Sequence, residues 1–449
     1  MSTAALSAPA PRLLSGTRRL PTLGLLLTTT LIAFEAMAVA TAMPTTARAL
    51  HGLSLYSFGF TAFLVTSIVG MVNAGARADR RDPAPVLLAG LAAFATGLLA
   101  CGLAPTMPVF IAGRAVSGFG AGSVIVAMYV VIARVYDPEL RPRIFAAMSG
   151  AWVIPALLGP SIAGALTEHV GWRWVYLALP PFIALGLLLL SSALRRLPAV
   201  PSSGRRAPAI AAVSLAVAVA LVQVAATRLT PPRLALAVAG LLLIAVPLRR
   251  LLPAGTLTLR RGLPTAVACR GLAAGTFFAA EAFVPYMLVT QHGARPTTAG
   301  LPLTFGAVGW SAGSWLQGRV SDRHRGQLLQ LGFLLIGLGV AGLALVTPAA
   351  VPAWAAVPPW MLAGAGMGLA MPAIAVILLA LSAESEQGEN SAALQISDAV
   401  GSATAIALAG AVVAAGRAGG HPAVGLVAVF LATGATALAG VAIARRTRV

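Results

Sequence analysis

Apolar runs of about 20 residues recur along almost the whole of this 449-residue sequence, from Leu23 to Val441. A bilayer core about 30 Å thick needs roughly 20 apolar residues for each helical crossing, so each run can span a membrane. The runs consist of Ala, Leu, Val and Gly without the period-2 alternation of a barrel strand. Because only helices and closed barrels satisfy their backbone groups in lipid, the sequence predicts an all-α membrane protein.

The distribution of arginines predicts the topology. With the N-terminus inside, 23 arginines fall on cytoplasmic loops and tails and 6 on the other side, the asymmetry that the positive-inside rule demands. We therefore expect a multi-pass protein of the plasma (inner) membrane with both termini cytoplasmic. The fourteen predicted spans are Leu23 to Met43, Leu53 to Ala76, Ala84 to Leu103, Met107 to Val135, Pro142 to Thr167, Trp172 to Leu194, Ala209 to Arg228, Pro232 to Leu252, Pro264 to Thr290, Thr298 to Val320, Gly326 to Thr347, Ala353 to Ser382, Asn390 to Ala415 and Pro422 to Ala444.

The net charge of +19 does not indicate nucleic-acid binding. The arginines lie in short, separated loops rather than on one soluble face, so no nucleic-acid partner is predicted. Cys101 and Cys269 lie in apolar runs without a pairing or ligand pattern, so we predict no disulfide, no metal site and no cofactor. No P-loop occurs, which argues against ATP as the direct energy source.

An internal repeat divides the chain. Glu35-Ala36 recurs as Glu281-Ala282, and Asp79-Arg80 recurs as Asp322-Arg323, with offsets of 246 and 243 residues between the acids. This predicts two six-helix bundles in parallel orientation with an extra two-helix hairpin between them. The predicted parts are a cytoplasmic tail (1–22), an N-terminal bundle (23–196), a linker with two spans (197–263), a C-terminal bundle (264–444) and a cytoplasmic tail (445–449).

Two loops resemble the signature of the major facilitator superfamily, Gly, three residues, Asp, Arg. In that family the aspartate latches the cytoplasmic helix ends together in the outward-facing state, whereas the alternative here is a set of solvated loop charges. Asp82 and Pro83 depart from the family pattern after the first copy. The resemblance assigns the conformational latch to Gly75, Asp79, Arg80, Gly318, Asp322 and Arg323.

Two further segments resemble motifs of this superfamily. Arg114, followed by Gly118-Phe-Gly120-Ala-Gly122, is similar to the intramembrane arginine motif of the fourth span. The fifth span resembles the antiporter motif of the fourteen-span drug:proton antiporters, although a helix kink that serves only packing is the alternative. The residues that carry this second resemblance are Pro155, Gly159, Pro160 and Gly164.

Three acids lie within predicted spans: Glu35, Glu281 and Asp398. An ionisable residue inside a membrane is a candidate functional site, because a charge in hydrocarbon is costly. We predict that these acids, together with Arg114, couple transport to protons, and we name Glu35 as the first choice. A structural ion pair or an interhelical hydrogen bond is the alternative for each acid.

The resemblance implies proton-driven export of amphipathic organic compounds by alternating access, with the bilayer, protons and a small organic substrate as partners and a monomer as the working unit. An uptake symporter for a metabolite is the alternative, and a membrane sensor or scaffold is a third. We do not predict an enzyme, because Gly309-Trp-Ser311-Ala-Gly313 lies within an apolar span and not at the strand-to-helix turn of a hydrolase. Residue type and position place Phe34, Tyr129, Tyr286 and Trp310 in the substrate cavity.

Overall fold

The computed structural model describes residue 14 and residues 18–78, 83–137, 140–194, 209–225, 231–317, 319, 324–382 and 387–447. All regular elements within these residues are helical, as the apolar runs predict. The α-helices of the described residues are α1 (Arg19–Ala49), α2 (Phe58–Ala78), α3 (Pro83–Gly102), α4 (Met107–Val135), α5 (Arg141–Gly150), α6 (Val153–Leu166), α7 (Trp174–Leu177), α8 (Leu179–Leu194), α9 (Ala209–Ala225), α10 (Pro231–Leu251), α11 (Leu263–Gln291), α12 (Pro296–Gln317), α13 (Arg325–Val346), α14 (Val357–Leu381), α15 (Gln387–Ala418) and α16 (Pro422–Ala444).

Eleven helical segments in the described part of the chain are long and apolar enough to cross a membrane. This confirms an all-α membrane protein. Helices α9, α10 and α12 cover the three remaining predicted spans but are not among the eleven. Helix α9 has only 17 described residues, and α12 contains several Thr and Ser residues and ends in Gln317. The count of fourteen crossings stays a prediction.

The fifth predicted span, Pro142 to Thr167, is divided into two helices, α5 and α6. Pro155 has no N–H to donate to the carbonyl of Ala151, four residues earlier. That carbonyl accepts a weak hydrogen bond from Thr30 Oγ1 of α1 instead, at 3.4 Å. The prediction of a single helix was wrong because hydropathy does not register a lost backbone hydrogen bond.

Other helix ends also differ from the predicted spans. The sixth span, Trp172 to Leu194, divides into α7 and α8 just before Pro180 and Pro181, which lie in the first turn of α8 where a missing N–H is tolerated. Helix α1 runs from Arg19 to Ala49, roughly 46 Å at 1.5 Å per residue, well beyond Leu23 to Met43. Hydropathy locates the apolar part of a helix, and the helix continues past it.

The same helix pairings recur on both sides of the linker. In the first half, α4 packs against α2 and α3, and α1 packs against α6 and α8. In the second half, α14 packs against α12 and α13, and α11 packs against α15 and α16. The glycine-containing segment from Gly118 to Gly122 of α4 recurs 246 residues later as the segment from Gly364 to Gly368 of α14. At each of these four glycines a Cβ would collide with the backbone of a neighbouring helix, so the glycines permit close packing.

Helices α9 and α10 form a hairpin beside the two halves. Helix α9 packs against α10 and also against α2 and α15, and therefore touches one helix from each half. Helix α10 packs mainly against α9 and leaves Val238, Leu242 and Val246 exposed. Apolar side chains exposed along a membrane helix suit contact with lipid.

The two halves meet at the end of the bundle where α1 and α11 finish, which we call the closed end. There a Cβ on Gly164 of α6 would lie 2.7 Å from the Cα of Thr297 of α12, so these helices are in backbone contact. At the other end, Trp152, just before α6, and Val153 and Ile154, its first two residues, are exposed. Consecutive helical residues point in directions about 100° apart, so that part of α6 is free of neighbours on a broad face. Helices α6 and α12 are thus in close contact at the closed end, and the start of α6 is more exposed.

Candidate functional site

Glu35 and Arg114 form a buried ion pair within the first half. The side chains are 1% and 3% exposed, and Arg114 Nη1 donates to Glu35 Oε1. Arg114 Nε also donates to the carbonyl of Gly59 at 2.8 Å, and the guanidinium lies 4.4 Å from the centre of the Phe63 ring. The Glu35 charge is therefore compensated by a cation from the same half of the molecule.

Glu35 does not lie on the partly accessible stripe of α1. That stripe consists of Leu26, Leu27, Thr30, Phe34 and Met37, which follow the spacing of one helix face. A Cβ on Gly159 of α6 would lie 3.3 Å from Met37 Cβ and 3.8 Å from Phe34 Cδ2. Met37 and the predicted cavity residue Phe34 therefore border α6, while Glu35 is buried against α4.

Glu281 of α11 occupies the equivalent place in the second half but has a different environment. Its side chain is half-buried, and within the described residues it makes no hydrogen bond or ion pair. The residue 246 positions after Arg114 is Trp360 of α14, which stacks on Phe277 with ring centres 4.6 Å apart. Where the first half supplies an arginine, the second half supplies an indole.

The third intramembrane acid, Asp398 of α15, is paired with Arg270 of α11. Arg270 Nε lies 2.7 Å and Nη2 lies 2.6 Å from Asp398 Oδ2, and both side chains are 18% exposed. Sequence reasoning omitted Arg270 from the site, although an arginine within a predicted span is itself a signal. Of the three acids, Glu281 alone lacks a cation among the described residues.

The remaining predicted cavity residues are not brought together. Trp310 is half-buried and makes an edge contact with Phe277 at 5.6 Å. Tyr129 of α4 is 48% exposed, and Tyr286 lies at the closed end, where its ring centre is 4.8 Å from that of Tyr56. The assignment of these side chains to one substrate cavity stays a prediction.

The residues of the antiporter motif lie along α6, part of which meets the second half. Pro155, Gly159, Pro160 and Gly164 are all buried. A Cβ on Gly300 of α12 would lie 2.8 Å from the carbonyl oxygen of Pro160, and the hydroxyls of Ser161 and Thr304 are 3.0 Å apart. Pro160 and Gly164 of the motif therefore lie on the contact surface between the two halves, whereas Gly159 faces α1.

Polar contacts also join the halves at the closed end. The Tyr56 hydroxyl donates to the carbonyl of Ala282 at 2.6 Å. Thr297 Oγ1 donates to Glu168 Oε2 at 2.7 Å, and Arg295 Nη1 lies 3.7 Å from Glu168 Oε1. Movement that separates the halves here must break these contacts.

Most of the predicted latch cannot be placed. Gly75 lies near the end of α2, whereas Asp79, Arg80, Gly318, Asp322 and Arg323 lie outside the described residues. The latch stays a prediction.

Comparison with protein families confirms the resemblance. A family model described as Major Facilitator Superfamily matches residues 25–405. The family consists of transporters, so the chain is a transporter and not an enzyme, as predicted.

Curated relatives match over part of their length. Multidrug efflux pump SdrM of Staphylococcus aureus is 27% identical over 157 residues, which are 35% of this chain and 35% of that protein. Multidrug resistance protein 3 of Bacillus subtilis is 29% identical over 168 residues, which are 37% of this chain and 33% of that protein. The matched part of the chain thus spans about a third of the length of these relatives.

Solved structures match along nearly the whole chain. PepTSo, a POT family transporter, has a TM-score of 0.71 at 12% identity over 97% of this chain and 98% of that one. A D-xylose-proton symporter has a TM-score of 0.64 at 15% identity over 94% of this chain and 97% of that one. At such identities the likeness shows the fold alone.

Proposed function

Because this chain belongs to the major facilitator superfamily, we propose that it exports amphipathic organic compounds in exchange for protons, by alternating access. The observation that carries the proposal is the half-buried carboxyl of Glu281, which has no cation partner among the described residues, whereas Glu35 and Asp398 each pair with an arginine. An unpaired carboxyl in an apolar environment favours its protonated form, and it ionises when a cation or water approaches. Such a group can take up a proton in one conformation and release it in the other.

The contact between the halves supports alternating access. Helices α6 and α12 approach closely at the closed end, and side chains at the start of α6 are exposed. A rocking movement of one half against the other would open one end as the other closes. Gly164 of the antiporter motif makes this contact a backbone contact with α12, which depends on the shape of the two helices.

Export, rather than uptake, is supported by two features. Pro160 and Gly164 of the antiporter motif lie on the moving contact surface, and two of the matched relatives are named for multidrug efflux or resistance. Amphipathic substrates are consistent with the apolar and aromatic side chains on α1, α11 and α12, because sites with few polar groups accept varied ligands.

The proposal includes the finer architecture. We propose fourteen crossings, with α5 and α6 forming the fifth and α7 and α8 the sixth, so that both termini face the cytoplasm. The bundles 23–196 and 264–444 are then parallel repeats about an axis normal to the membrane, with the hairpin of 197–263 between them, and the protein works as a monomer in the plasma membrane.

Transport into proteoliposomes tests the function. Liposomes that hold the purified protein are given a pH difference, and a panel of lipophilic cations and neutral drugs is followed. We expect uphill substrate movement opposite to the proton movement, and its loss when a protonophore collapses the pH difference. Substrate movement in the same direction as protons would identify an uptake symporter, and no movement of any compound would contradict the proposal.

A further inference from the structure

The loop between α10 and α11, residues 252–262, has a defined conformation. The N–H of Arg260 donates to the carbonyl of Gly255 at 3.0 Å, and that of Thr256 donates to the carbonyl of Pro253 at 3.1 Å. Leu259 adopts a positive φ of 54°, which a leucine takes only where surrounding contacts impose it. The loop is therefore a folded part of the molecule.

The same loop is bonded to the C-terminal end of the described chain. The N–H of Gly262 donates to the carbonyl of Arg446 at 2.9 Å, and Thr265 Oγ1 donates to the carbonyl of Arg260 at 2.6 Å. Arg446 belongs to the 3₁₀ turn Arg445–Thr447 that follows α16, and Thr447 of that turn is buried. Two arginine pairs that are distant in sequence are thus held side by side at one end of the bundle.

These four side chains, which we call the basic patch, are available to a ligand. Arg260, Arg261, Arg445 and Arg446 are all exposed, and none takes part in an ion pair within the described residues. Leu257 of the same loop is 44% exposed. The patch lies where α11 begins and α16 ends, and both helices are among the segments able to cross a membrane. It therefore sits at a membrane surface, with an apolar side chain beside it.

We propose that the basic patch binds the anionic headgroups of membrane phospholipids. A guanidinium presents paired N–H donors that match two oxygens of a phosphate, and arginine clusters directly outside a membrane helix suit acidic lipids. The exposed side chain of Leu257 would then contact the upper part of the acyl chains. The proposal needs only that the chain spans a membrane, so it stands or falls separately from proton-driven export.

Native mass spectrometry of the full-length protein in nonionic detergent tests the proposal. The protein is mixed with equal amounts of phosphatidylglycerol and phosphatidylcholine that carry the same acyl chains. We expect the wild type to bind more phosphatidylglycerol than phosphatidylcholine. In the variant Arg260→Gln/Arg446→Gln the ratio of the two bound lipids should fall about tenfold. The matched control is Arg19→Gln/Arg77→Gln, which removes two exposed arginines at the same end of the other half and should keep the preference.

Three outcomes would overturn the proposal. The preference could persist in Arg260→Gln/Arg446→Gln, or it could fall equally in the control pair and so reflect net charge alone. Inorganic phosphate, added as a competitor, could displace the lipid at equal concentration, which would identify a site for free phosphate. Melting temperatures in detergent verify folding, and Arg261→Gln/Arg445→Gln provides a second variant of the patch.

Discussion

An ionised carboxylate inside a membrane needs a compensating cation or a proton, and Glu35 and Glu281 meet this need differently. Glu35 accepts a hydrogen bond from Arg114 Nη1 within its own half, and the Gly59 carbonyl accepts a second hydrogen bond from Arg114 Nε. Glu281 has no such neighbour among the described residues and satisfies the need most readily by holding a proton. At the residue scale, this difference makes Glu281 our first candidate for the coupling proton, ahead of Glu35.

The first prediction concerns Glu281→Gln. Glutamine resembles the protonated carboxyl in shape but cannot titrate, so we expect pH-driven uphill export to fall to the rate of protein-free liposomes. Substrate binding and downhill exchange should persist, because both need only the protonated form. Asp137→Asn, an exposed acid paired with Arg18, serves as the control and should export normally. Full pH-driven export by Glu281→Gln would return the role to Glu35 or Asp398.

The second prediction concerns the Glu35 and Arg114 pair. Removing one partner of a buried ion pair leaves the other charge uncompensated, which costs about 3 to 5 kcal/mol. We therefore expect Glu35→Gln and Arg114→Gln each to lower the melting temperature in detergent, and the double variant to recover most of the loss. Losses that simply add in the double variant would show that the two side chains do not depend on each other.

Sequence reasoning reached some of these residues and not others. Glu35, Glu281 and Asp398 are visible as acids in apolar runs, because hydropathy makes them exceptional. The partner of Asp398 is not visible, since pairing with Arg270 depends on which faces of α11 and α15 meet. Trp360 could have been predicted from the sequence. The glycine patterns of α4 and α14 align at an offset of 246 residues, which makes Trp360 the equivalent of Arg114 in the second half.

Among the elements, α6 is separated from α5 at its start and packs closely against α12 at its end. Pro155 separates it from α5, and Gly164 brings its last turn against α12. The existence and type of nearly every helix follow from the apolar runs, but these two local features depend on a lost hydrogen bond and on a neighbour from the other half. Neither is encoded in the average hydropathy of a segment.

The third prediction concerns Gly164→Ala. The added Cβ would lie 2.7 Å from the Cα of Thr297, and backbone atoms cannot yield as a flexible side chain does, so we expect about 1 to 3 kcal/mol against the closed arrangement. A cysteine at Ser161 should then react faster with a maleimide that cannot cross the membrane. Gly150→Ala is the matched control, because its Cβ would meet no atom within 4 Å. Equal labelling rates in both variants would contradict this account of α6.

The fourth prediction concerns the latch at the end of α2. If Asp79 accepts hydrogen bonds from a helix N-terminus, Asp79→Asn should shift the balance between conformations by up to about 1 kcal/mol, roughly fivefold in population. We expect slower transport with substrate binding retained, since the predicted latch acts on the balance between conformations and not on the substrate. Arg77→Gln removes a neighbouring charge and should have a smaller effect. Loss of binding in a folded Asp79→Asn protein would exclude a latch.

For the whole molecule, the fold could be predicted because the sequence features of the first half recur in the second half. Helix pairings in one half recur in the other, and the paired sequence features indicate this repeat without any structure. The hairpin of α9 and α10 has no counterpart in the repeat, and only its contacts with α2 and α15 show that it touches both halves.

The fifth prediction is topological. Single cysteines at Ser202 and His292 should react from opposite sides of the membrane if the chain crosses fourteen times with both termini inside. The native Cys101 and Cys269 are fully buried, so background labelling should be low, and a variant without either cysteine measures it. Labelling of both positions from one side would rule out this topology.

In the second half Trp360 stands at the position equivalent to Arg114, so Glu281 has no arginine from that position. This difference affects whether the membrane voltage or the pH difference drives export. In the proposed mechanism the unpaired carboxyl of Glu281 would carry one proton per cycle. Export of a neutral compound would then move one net positive charge inward, whereas export of a monovalent cation would move none. Each elementary charge gains about 2.3 kcal/mol per 100 mV, compared with about 1.4 kcal/mol per pH unit for the proton itself. Membrane voltage should therefore drive the efflux of neutral compounds and leave that of monovalent cations to the pH difference alone.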